Sequence, residues 1–446
     1  MTPHILLLFF LSSCARLLLT SPSLNQEMAL STRANGVLQA NSNSLIWEVL
    51  SDMYDPETNP DGYYSVGIAE NVLMHEFLLD HMHQSLRLTS KSLTYNDGAS
   101  GSKRLKAAMA RFLNRRLHPA TPLEPHHLIL TNGVSAAVEH LSWALADKGE
   151  GILLGRPYYG TFVADISMRF GTEVVTVPFG GADPLGEACV EAYRQALTSF
   201  EQRTGKKCRA LLLCHPHNPL GRCYSRNVLV ALMRLCQEQG MHFISDEIYA
   251  LSVWGGEEFV SALSIDTRGI IDADRVHVLW GMSKDFGANG LRLGALISQG
   301  KKDVRAAVDS VALYSYVSGP ADHLAANVLE DDAYTDEYIR LNCEKLKQAY
   351  EYTVGLLTQN EIPYMAGANA GFFVWVDLGT PYLKHHPEAK HEDVGEIVMQ
   401  RLLKNKVFLA SGALFGSETP GWFRIVFAHP QAYLDEALRR IVAALQ

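Results

Sequence analysis

The sequence predicts an α/β protein built on a mostly parallel sheet, accompanied by a smaller α+β domain. Between residues 127 and 281, short apolar runs alternate with helical segments, which is the pattern of strand–helix–strand units. These runs are continuously apolar, as expected for strands that helices cover on both faces. The chain has 446 residues, of which 47% are hydrophobic, and this is enough for a large core and two lobes.

The segments before the sheet are less regular. Residues 43–54 have the pattern of a helix, and residues 65–71 that of a short strand ending in Glu70 and an asparagine. Residues 102–117 predict an amphipathic helix, whose lysines and arginines we interpret as a solvated face.

Strands and helices alternate through the centre of the chain, and the pattern changes after residue 300. The predicted central strands are 127–130, 151–154, 209–214, 242–245 and 276–280, and the predicted central helices are 135–146 and 226–239. Later segments predict helices at 320–358 and 392–404, strands at 371–377, 407–410 and 422–427, and a closing helix. We interpret these later segments as the smaller lobe, completed by the amino-terminal part of the chain.

Composition excludes several classes of function. The net charge is −9 and no basic run occurs, which argues against a nucleic-acid partner. The seven cysteines are odd in number and include no C-x-x-C pair, so we expect reduced thiols and no metal site. Residues 5–11 resemble the core of a signal peptide, but no Lys or Arg precedes them and Arg16 interrupts the apolar run. We therefore expect a cytoplasmic protein without membrane insertion.

The most informative stretch is the one around Lys284. An apolar strand ends there in Ser283-Lys284, and a loop with three glycines and Arg292 follows. A lysine at a strand end suits an aldimine with an aldehyde cofactor, and Ser283, Arg292 and the loop amides could hold a phosphate of that cofactor. The alternative is an ordinary buried strand that ends at a surface lysine.

Four further residues lie where a strand gives way to a helix or loop. Gly133, Val134 and Ser135 begin a helix and form either an anion site or an ordinary N-cap. Asn218 lies in an Asn-Pro loop, which is either a plain turn or a hydrogen-bond partner for the ring of a cofactor.

Asp246 and Tyr249 follow another buried strand. A buried carboxylate needs a cationic partner, and a protonated pyridine nitrogen would provide one. Tyr249 could donate to the phenolic oxygen of the same ring. The alternative is that Asp246 is a helix N-cap.

Two more positions are ambiguous without context. Tyr159 could stack on a planar ring or simply pack in the core. Arg424 lies in an apolar strand, where a buried guanidinium would bind either a substrate carboxylate or a structural Asp or Glu. We interpret His215 and His217 as turn residues rather than metal ligands, and no metal is expected.

Taken in order, these motifs resemble one family. Three patterns are similar to those of class I/II aminotransferases, which are fold type I pyridoxal phosphate (PLP) enzymes. They are Asn-Pro-x-Gly from Asn218, Ser-Asp-Glu-Ile-Tyr ending at Tyr249, and Ser-Lys-Asp-Phe-Gly-x-x-Gly-x-Arg-x-Gly from Ser283. Residues 66–71, Tyr95-Asn96-Asp97 and Trp422-Phe423-Arg424 resemble most the 1-aminocyclopropane-1-carboxylate (ACC) synthase branch.

The resemblance implies a role for each matching residue. Lys284 would carry PLP, Asp246 would pair with its ring nitrogen, and Asn218 and Tyr249 would contact its ring hydroxyl. Arg424 would bind the substrate carboxylate, and Glu70 would lie near the substrate side chain. The implied phosphate and ring contacts are Gly133, Val134, Ser135, Ser283, Arg292 and Tyr159. Tyr95 would reach the phosphate of a partner subunit, which implies a homodimer with shared sites.

The resemblance also implies a seven-stranded sheet and a domain division. We predict an extension at 1–30, an amino-terminal arm and part of the small domain at 31–90, the large PLP-binding domain at 91–320, and the carboxyl-terminal small domain at 321–446. Two departures from the ACC synthase pattern occur: Gly281 replaces a serine whose hydroxyl would bind phosphate, and the Tyr95 loop is longer and lacks a second aromatic residue.

The expected function is therefore that of a PLP-dependent enzyme that acts on an α-amino acid, with transamination through a Lys284 aldimine as the favoured reaction. Carbon–sulfur bond cleavage or an ACC synthase-type elimination is the alternative. A non-catalytic PLP-fold protein is a more distant one, which the presence of Lys284, Asp246, Arg292 and Arg424 disfavours.

Overall fold

The structure, a computed structural model, describes residues 30–41, 45–256 and 259–446. The signal-like segment 5–11 lies outside the described residues. Contacts divide the chain after Ser44, and the part before this point contributes one described helix, α1 (Thr32–Asn41). All other described elements belong to the compact unit Leu45–Gln446.

Twelve strands are found in the described part of the chain. They are β1 (Tyr64–Ser65), β2 (Leu128–Asn132), β3 (Gly151–Gly155), β4 (Glu173–Val177), β5 (Cys208–Cys214), β6 (His242–Asp246), β7 (Val276–Gly281), β8 (Leu293–Ile297), β9 (Phe373–Asp377), β10 (Val407–Phe408), β11 (Ala410–Ser411) and β12 (Trp422–Val426).

The helices after α1 cover these strands. They are α2 (Leu45–Ser51), α3 (His75–Ser85), α4 (Lys103–Leu117), α5 (Val134–Leu145), α6 (Thr161–Ser167), α7 (Cys189–Thr204), α8 (Arg226–Gln239), α9 (Met282–Asp285), α10 (Lys302–Val311), α11 (Gly319–Glu330), α12 (Asp332–Gln359), α13 (Gly379–His385), α14 (Val394–Lys404) and α15 (Gln431–Leu445).

The large sheet has seven strands in the order β2-β8-β7-β6-β5-β3-β4. All neighbouring pairs are parallel except those of β8, which is antiparallel to both β2 and β7. The predicted α/β class with a mostly parallel seven-stranded sheet is therefore confirmed. The carboxyl ends of β2, β3, β5, β6 and β7 meet at one edge, where the sequence places its polar residues.

Both faces of the large sheet are buried, as the continuous apolar strands predict. Along β5, Leu211 and Leu213 pack into one hydrophobic cluster, while Ala210 and Leu212 pack into a second one on the other face. Burial on both faces makes most strand positions apolar, so polar side chains collect mainly beyond the strand ends.

Two smaller sheets complete the compact unit. Strands β11, β12 and β9 form an antiparallel sheet, and β1 pairs in parallel with β10. The pairing of β1 with β10 joins an amino-terminal segment to the carboxyl-terminal part of the chain. The domain boundaries at 90 and 320 stay a prediction.

Some predicted elements differ from the observed ones. The strand predicted at 65–71 is wrong beyond Ser65, because the backbone leaves the β1–β10 ladder there. The helix predicted at 43–54 corresponds to α2, which ends at Ser51, and residues 43 and 44 lie outside the described residues. The strand predicted at 407–410 is split into β10 and β11. Strands β4 and β8 were not predicted, because each contains only a short apolar run.

No disulfide joins the six cysteines within the described residues. Their reduced state stays a prediction. None of the described helices is long and apolar enough to cross a bilayer. A cytoplasmic location stays a prediction.

The close packing of β7 and β8 leaves room only for a glycine at position 281. Gly281 is paired in register with Gly294. A Cβ atom on Gly281 would lie 2.5 Å from the carbonyl oxygen of Leu293 and 3.1 Å from the Cα atom of Gly294. These are backbone atoms, which cannot move aside as the end of a side chain can. The serine of the ACC synthase pattern therefore has no room at this position.

We predict that Gly281→Ser lowers the free energy of unfolding by about 1–3 kcal/mol, since it forces a side chain into a packed core. Thermal unfolding of the apoprotein measures the change. Gly290→Ser is the matched control, because a Cβ at Gly290 would meet no atom within 4 Å. Equal stability of Gly281→Ser and wild type, together with tighter cofactor binding, would contradict this account.

Candidate active site

A cavity of about 120 Å³ opens at the carboxyl edge of the large sheet. This edge is where open α/β sheets bind their ligands. The predicted site residues that line it are Val134, Ser135, Tyr159, Asn218, Asp246, Tyr249, Ser283, Lys284 and Arg292. Residues from five separate sequence motifs thus meet in one place.

Lys284 lies in α9, the single turn that follows β7. Its Nζ atom donates a hydrogen bond to the carbonyl oxygen of Ala69 at 2.6 Å. Burial lowers the pKa of Lys284 to about 8, and the positive charges of Arg424 and Arg292 act in the same direction. A substantial fraction of the amine is therefore neutral near physiological pH and can act as a nucleophile.

The turn that carries Lys284 is fixed by its neighbour Asp285. The Asp285 carboxylate accepts hydrogen bonds from the Trp280 indole at 2.9 Å, the Leu251 amide at 3.1 Å and the Ser252 hydroxyl at 2.7 Å. Leu251 and Ser252 belong to the segment after β6 that also carries Tyr249. Asp285 therefore ties the lysine turn to this segment, a role that sequence analysis did not predict.

Asp246 is the last residue of β6 and is buried. Its carboxylate accepts one hydrogen bond, from the Ile248 amide at 3.2 Å. Burial raises the pKa of Asp246 to about 7, although Lys284 opposes this effect. Burial also raises the pKa of Tyr249 well above its usual range, so this phenol is a neutral donor.

Arg424 is 3% exposed, and its guanidinium bonds only to uncharged oxygens. It donates to Asn218 Oδ1 at 3.0 Å and to the carbonyl oxygen of Gly67 at 2.6 Å. Its Nε atom is buried without a partner, and no carboxylate among the described residues forms an ion pair with it. Of the two sequence interpretations, the substrate carboxylate is favoured over a structural Asp or Glu, because the guanidinium still lacks an anion.

An anion cradle lies where β2 leads into α5. Gly133 has φ +80° and precedes the first turn of α5, whose free amides point outward. A Cβ on Gly133 would collide with the guanidinium of Arg292, so glycine lets this cation approach the helix start. Ser135 and Ser283 line the same cavity. Amides, hydroxyls and one guanidinium make a donor set suited to phosphate.

The structure also brings in residues that sequence analysis missed. Asp165 lines the cavity and accepts a hydrogen bond from the Ser135 hydroxyl, and burial raises its pKa to about 7. It follows Phe162 by three residues in α6, so helical spacing after the Tyr159 motif could have placed both on one face. Cys214 and Asn289 also line the cavity, and neither had a distinguishing sequence signal.

Four predicted residues are not among those lining the cavity, namely Gly133, Arg424, Tyr95 and Glu70. Tyr95 is 85% exposed, and its backbone carbonyl accepts a hydrogen bond from the Tyr316 hydroxyl. The side chain of Glu70 is exposed, although its charge partly opposes the lowering of the Lys284 pKa. Tyr159 does line the cavity and packs edge-on against Phe162 at 5.3 Å.

The residues present fit PLP, on three observations. The cradle of α5 amides and Arg292 suits its phosphate, and the buried Asp246 suits its ring nitrogen. The Lys284 amine suits its aldehyde. No group of three or more potential metal ligands occurs in the described part of the chain.

Comparisons with known proteins agree with this geometry. The family model described as aminotransferase class I and II matches residues 69–441. ACC synthase 3 of Oryza sativa subsp. japonica is 32% identical over 411 residues, which cover 87% of this chain and 89% of the rice protein. The human protein named "probable inactive ACC synthase-like protein 2" is 31% identical over 411 residues, which cover 89% of this chain and 69% of that protein.

A solved structure shows the same fold. N-succinyldiaminopimelate aminotransferase from Mycobacterium tuberculosis superimposes with a TM-score of 0.74 at 21% identity, over 93% of this chain and 100% of that one. The family match and the similarity to the rice protein both extend well beyond the motifs that line the cavity. This chain therefore belongs to the class I and II aminotransferase family of PLP-dependent proteins and is similar over most of its length to ACC synthases and ACC synthase-like proteins.

Proposed function

We propose that this protein is an enzyme that transfers the amino group of an α-amino acid. The observation that carries the proposal is the buried Lys284 amine, which shares one cavity with Asp246 and lies near a guanidinium, Arg424, that lacks an anion. When bound, PLP supplies an aldehyde and a ring that withdraws electrons from the substrate α-carbon.

Lys284 has two tasks in this proposal. Its neutral amine holds the cofactor covalently, and after the substrate has displaced it, the same amine takes the proton from the substrate α-carbon. The lowered pKa of Lys284 serves both tasks, since a base works best when its pKa lies near the working pH. In transamination, Nζ would return this proton to a carbon other than the substrate α-carbon. In elimination, the substrate would instead lose a β- or γ-sulfur group.

The surrounding residues orient the reacting groups. Arg424 binds the substrate carboxylate through two parallel hydrogen bonds. The contact with Asn218 orients the plane of the guanidinium for this interaction. Asp246 keeps a proton on the ring nitrogen, and Tyr249 donates to the ring oxygen. The cradle of Gly133, Ser135, Ser283 and Arg292 binds the phosphate.

Elimination at a carbon–sulfur bond is the second candidate. It is supported by Glu70, whose carboxylate lies close enough to Lys284 to influence its pKa and could act on a substrate side chain. A non-catalytic protein is the third candidate, and the human relative named as probably inactive keeps it open. The presence of Lys284, Asp246, Arg292 and Arg424 supports catalysis.

A product assay separates the three candidates. The purified protein with PLP is offered amino acids, S-adenosylmethionine and cysteine conjugates, each with and without a keto-acid acceptor. We expect turnover that requires the acceptor and yields a new amino acid. Lys284→Ala should lose at least about a hundredfold in rate, because it removes the general base.

The exposed lysine at the start of α10 provides the control, and Lys302→Ala should leave the rate unchanged. Release of a thiol, thioether or methylthioadenosine without an acceptor would favour elimination. Full turnover by Lys284→Ala, or no turnover of any substrate by wild type, would refute the proposal.

We further propose a homodimer whose two sites are shared. Tyr95 is 85% exposed and Tyr314 77% exposed, and Leu93 and Leu313 beside them are also exposed. The Tyr316 hydroxyl links the two segments by its bond to the Tyr95 carbonyl. Exposed apolar side chains grouped in this way indicate an interface. The resemblance that assigns Tyr95 to a partner's phosphate supports a second copy as the occupant.

A mixing experiment tests the shared site. Tyr95→Ala and Lys284→Ala should each lose activity, and unfolding and refolding them together should restore about a quarter of the wild-type rate, because half the dimers then hold one intact site of two. Each variant refolded alone serves as the control. No recovery in mixtures that contain mixed dimers, or full activity of Tyr95→Ala alone, would contradict sharing.

The covalent attachment of PLP should depend on pH with a midpoint near 8. Burial lowers the pKa of Lys284 to about 8, and only the neutral amine reacts. The attachment rate should therefore rise about tenfold per pH unit below 8 and level off above it. Stopped-flow absorbance after mixing apoprotein with PLP measures the rate.

The variant Arg424→Gln tests whether the charge of Arg424 shifts this midpoint pH. The positive charge of Arg424 lowers the pKa of Lys284, so its removal should move the midpoint to higher pH. A wild-type midpoint near 10, the value of an exposed lysine, would contradict the burial argument.

A further inference from the structure

The backbone carbonyl of Ala69 accepts hydrogen bonds from two side chains of the segment 284–289. Lys284 Nζ donates to the oxygen of Ala69 at 2.6 Å, and Asn289 Nδ2 donates to the same oxygen at 3.2 Å. The two nitrogen atoms are therefore at most about 6 Å apart. Both lone pairs of this carbonyl are occupied, so its direction is fixed.

Asn289 follows Lys284 by five residues and has two separable contacts. Its backbone carbonyl accepts from Arg292 NH1 at 3.1 Å and so steadies the cation of the anion cradle. Its side chain contacts Ala69 and lines the cavity. A substitution of the side chain leaves the backbone contact with Arg292 in place, so the two contributions can be measured separately.

A contribution to stability does not explain why position 289 carries an asparagine. Its Oδ1 atom is buried and meets no donor among the described residues. Burying an acceptor without a partner destabilises a protein, whereas an apolar side chain of this size would avoid that cost. A carboxamide with a buried oxygen that has no donor, located beside Lys284, therefore indicates a function other than stability.

We propose that Asn289 is a positioning residue for Lys284. Its carboxamide fixes the Ala69 carbonyl as the acceptor that holds the lysine amine beside the cavity whenever the amine is not bonded to PLP. The inference rests on the proposed function, in which Lys284 binds the cofactor and is later released. An amine held in one position reattaches faster than one that samples many rotamers.

The test is the reconstitution of apoprotein with PLP, which requires no amino-acid substrate. We expect Asn289→Ala to slow the appearance of the yellow complex at least about tenfold, because the amine is no longer held in position. Binding of pyridoxine 5′-phosphate, which has no aldehyde, should stay at the wild-type affinity, since Arg292 keeps its contact. The melting temperature of the apoprotein should not fall.

Two further variants sharpen the test. Asn289→Asp places a carboxylate within about 6 Å of the amine and should raise the midpoint pH of attachment by about one unit. Asn360→Ala is the matched control. The Asn360 carboxamide also donates to a backbone carbonyl, that of Leu356 at 2.8 Å, but it is exposed at the end of α12. This control should leave the attachment rate unchanged.

Several outcomes would overturn the inference. An Asn289→Ala rate equal to that of wild type would do so, and so would a lower melting temperature at an unchanged rate, which indicates a merely structural role. Loss of pyridoxine 5′-phosphate binding would make Asn289 a cofactor ligand instead. A wild-type protein that never forms the yellow complex would refute the proposed function itself, and this inference with it.

Discussion

The chemistry of this site depends on a buried guanidinium that the protein leaves without a counter-charge. Arg424 is held by an amide oxygen and a backbone carbonyl, and its Nε atom has no partner among the described residues. Removing an ion from water costs several kcal/mol, which two neutral acceptors offset only in part. An anionic ligand recovers that cost, so affinity for a carboxylate follows from the way in which the cavity is built. The positive charge of Arg424 also lowers the pKa of Lys284.

Neighbouring buried carboxylates differ in how completely they are hydrogen-bonded. Burial raises the pKa values of Asp246, Glu247 and Asp285 to about 7 each. Asp285 accepts three hydrogen bonds, and Glu247 accepts three from the Ser245 and Ser261 hydroxyls and the Ala262 amide. Asp246 accepts one. A carboxylate with a full set of donors braces the fold, whereas Asp246 retains the capacity to pair with a cationic ring.

Local sequence patterns predicted much of this architecture, because the large sheet is made of strands that are buried on both faces. Such strands are apolar at most positions, and their polar ends are visible as motifs, so Asp246, Asn218 and Lys284 were found together. Asp285 was missed because its importance arises from donors more than thirty residues away in the chain, at Leu251 and Ser252. Asn289 was missed for the same reason, since its partner Ala69 lies far from it in sequence. Contacts of this kind depend on tertiary structure and leave no periodic signal.

The wrongly predicted strand at 65–71 illustrates how irregular backbone can serve a site. In a regular strand, the carbonyls of Gly67 and Ala69 would point the same way and bond to a neighbouring strand. Here the segment leaves its ladder after β1, and the two carbonyls accept from Arg424 and Lys284 instead, each at 2.6 Å. The guanidinium of Arg424 and the amine of Lys284 thus contact backbone oxygens two residues apart. The spacing of these two oxygens is set by covalent geometry, which changes less than side-chain rotamers do, so this short segment fixes the guanidinium and the amine relative to each other.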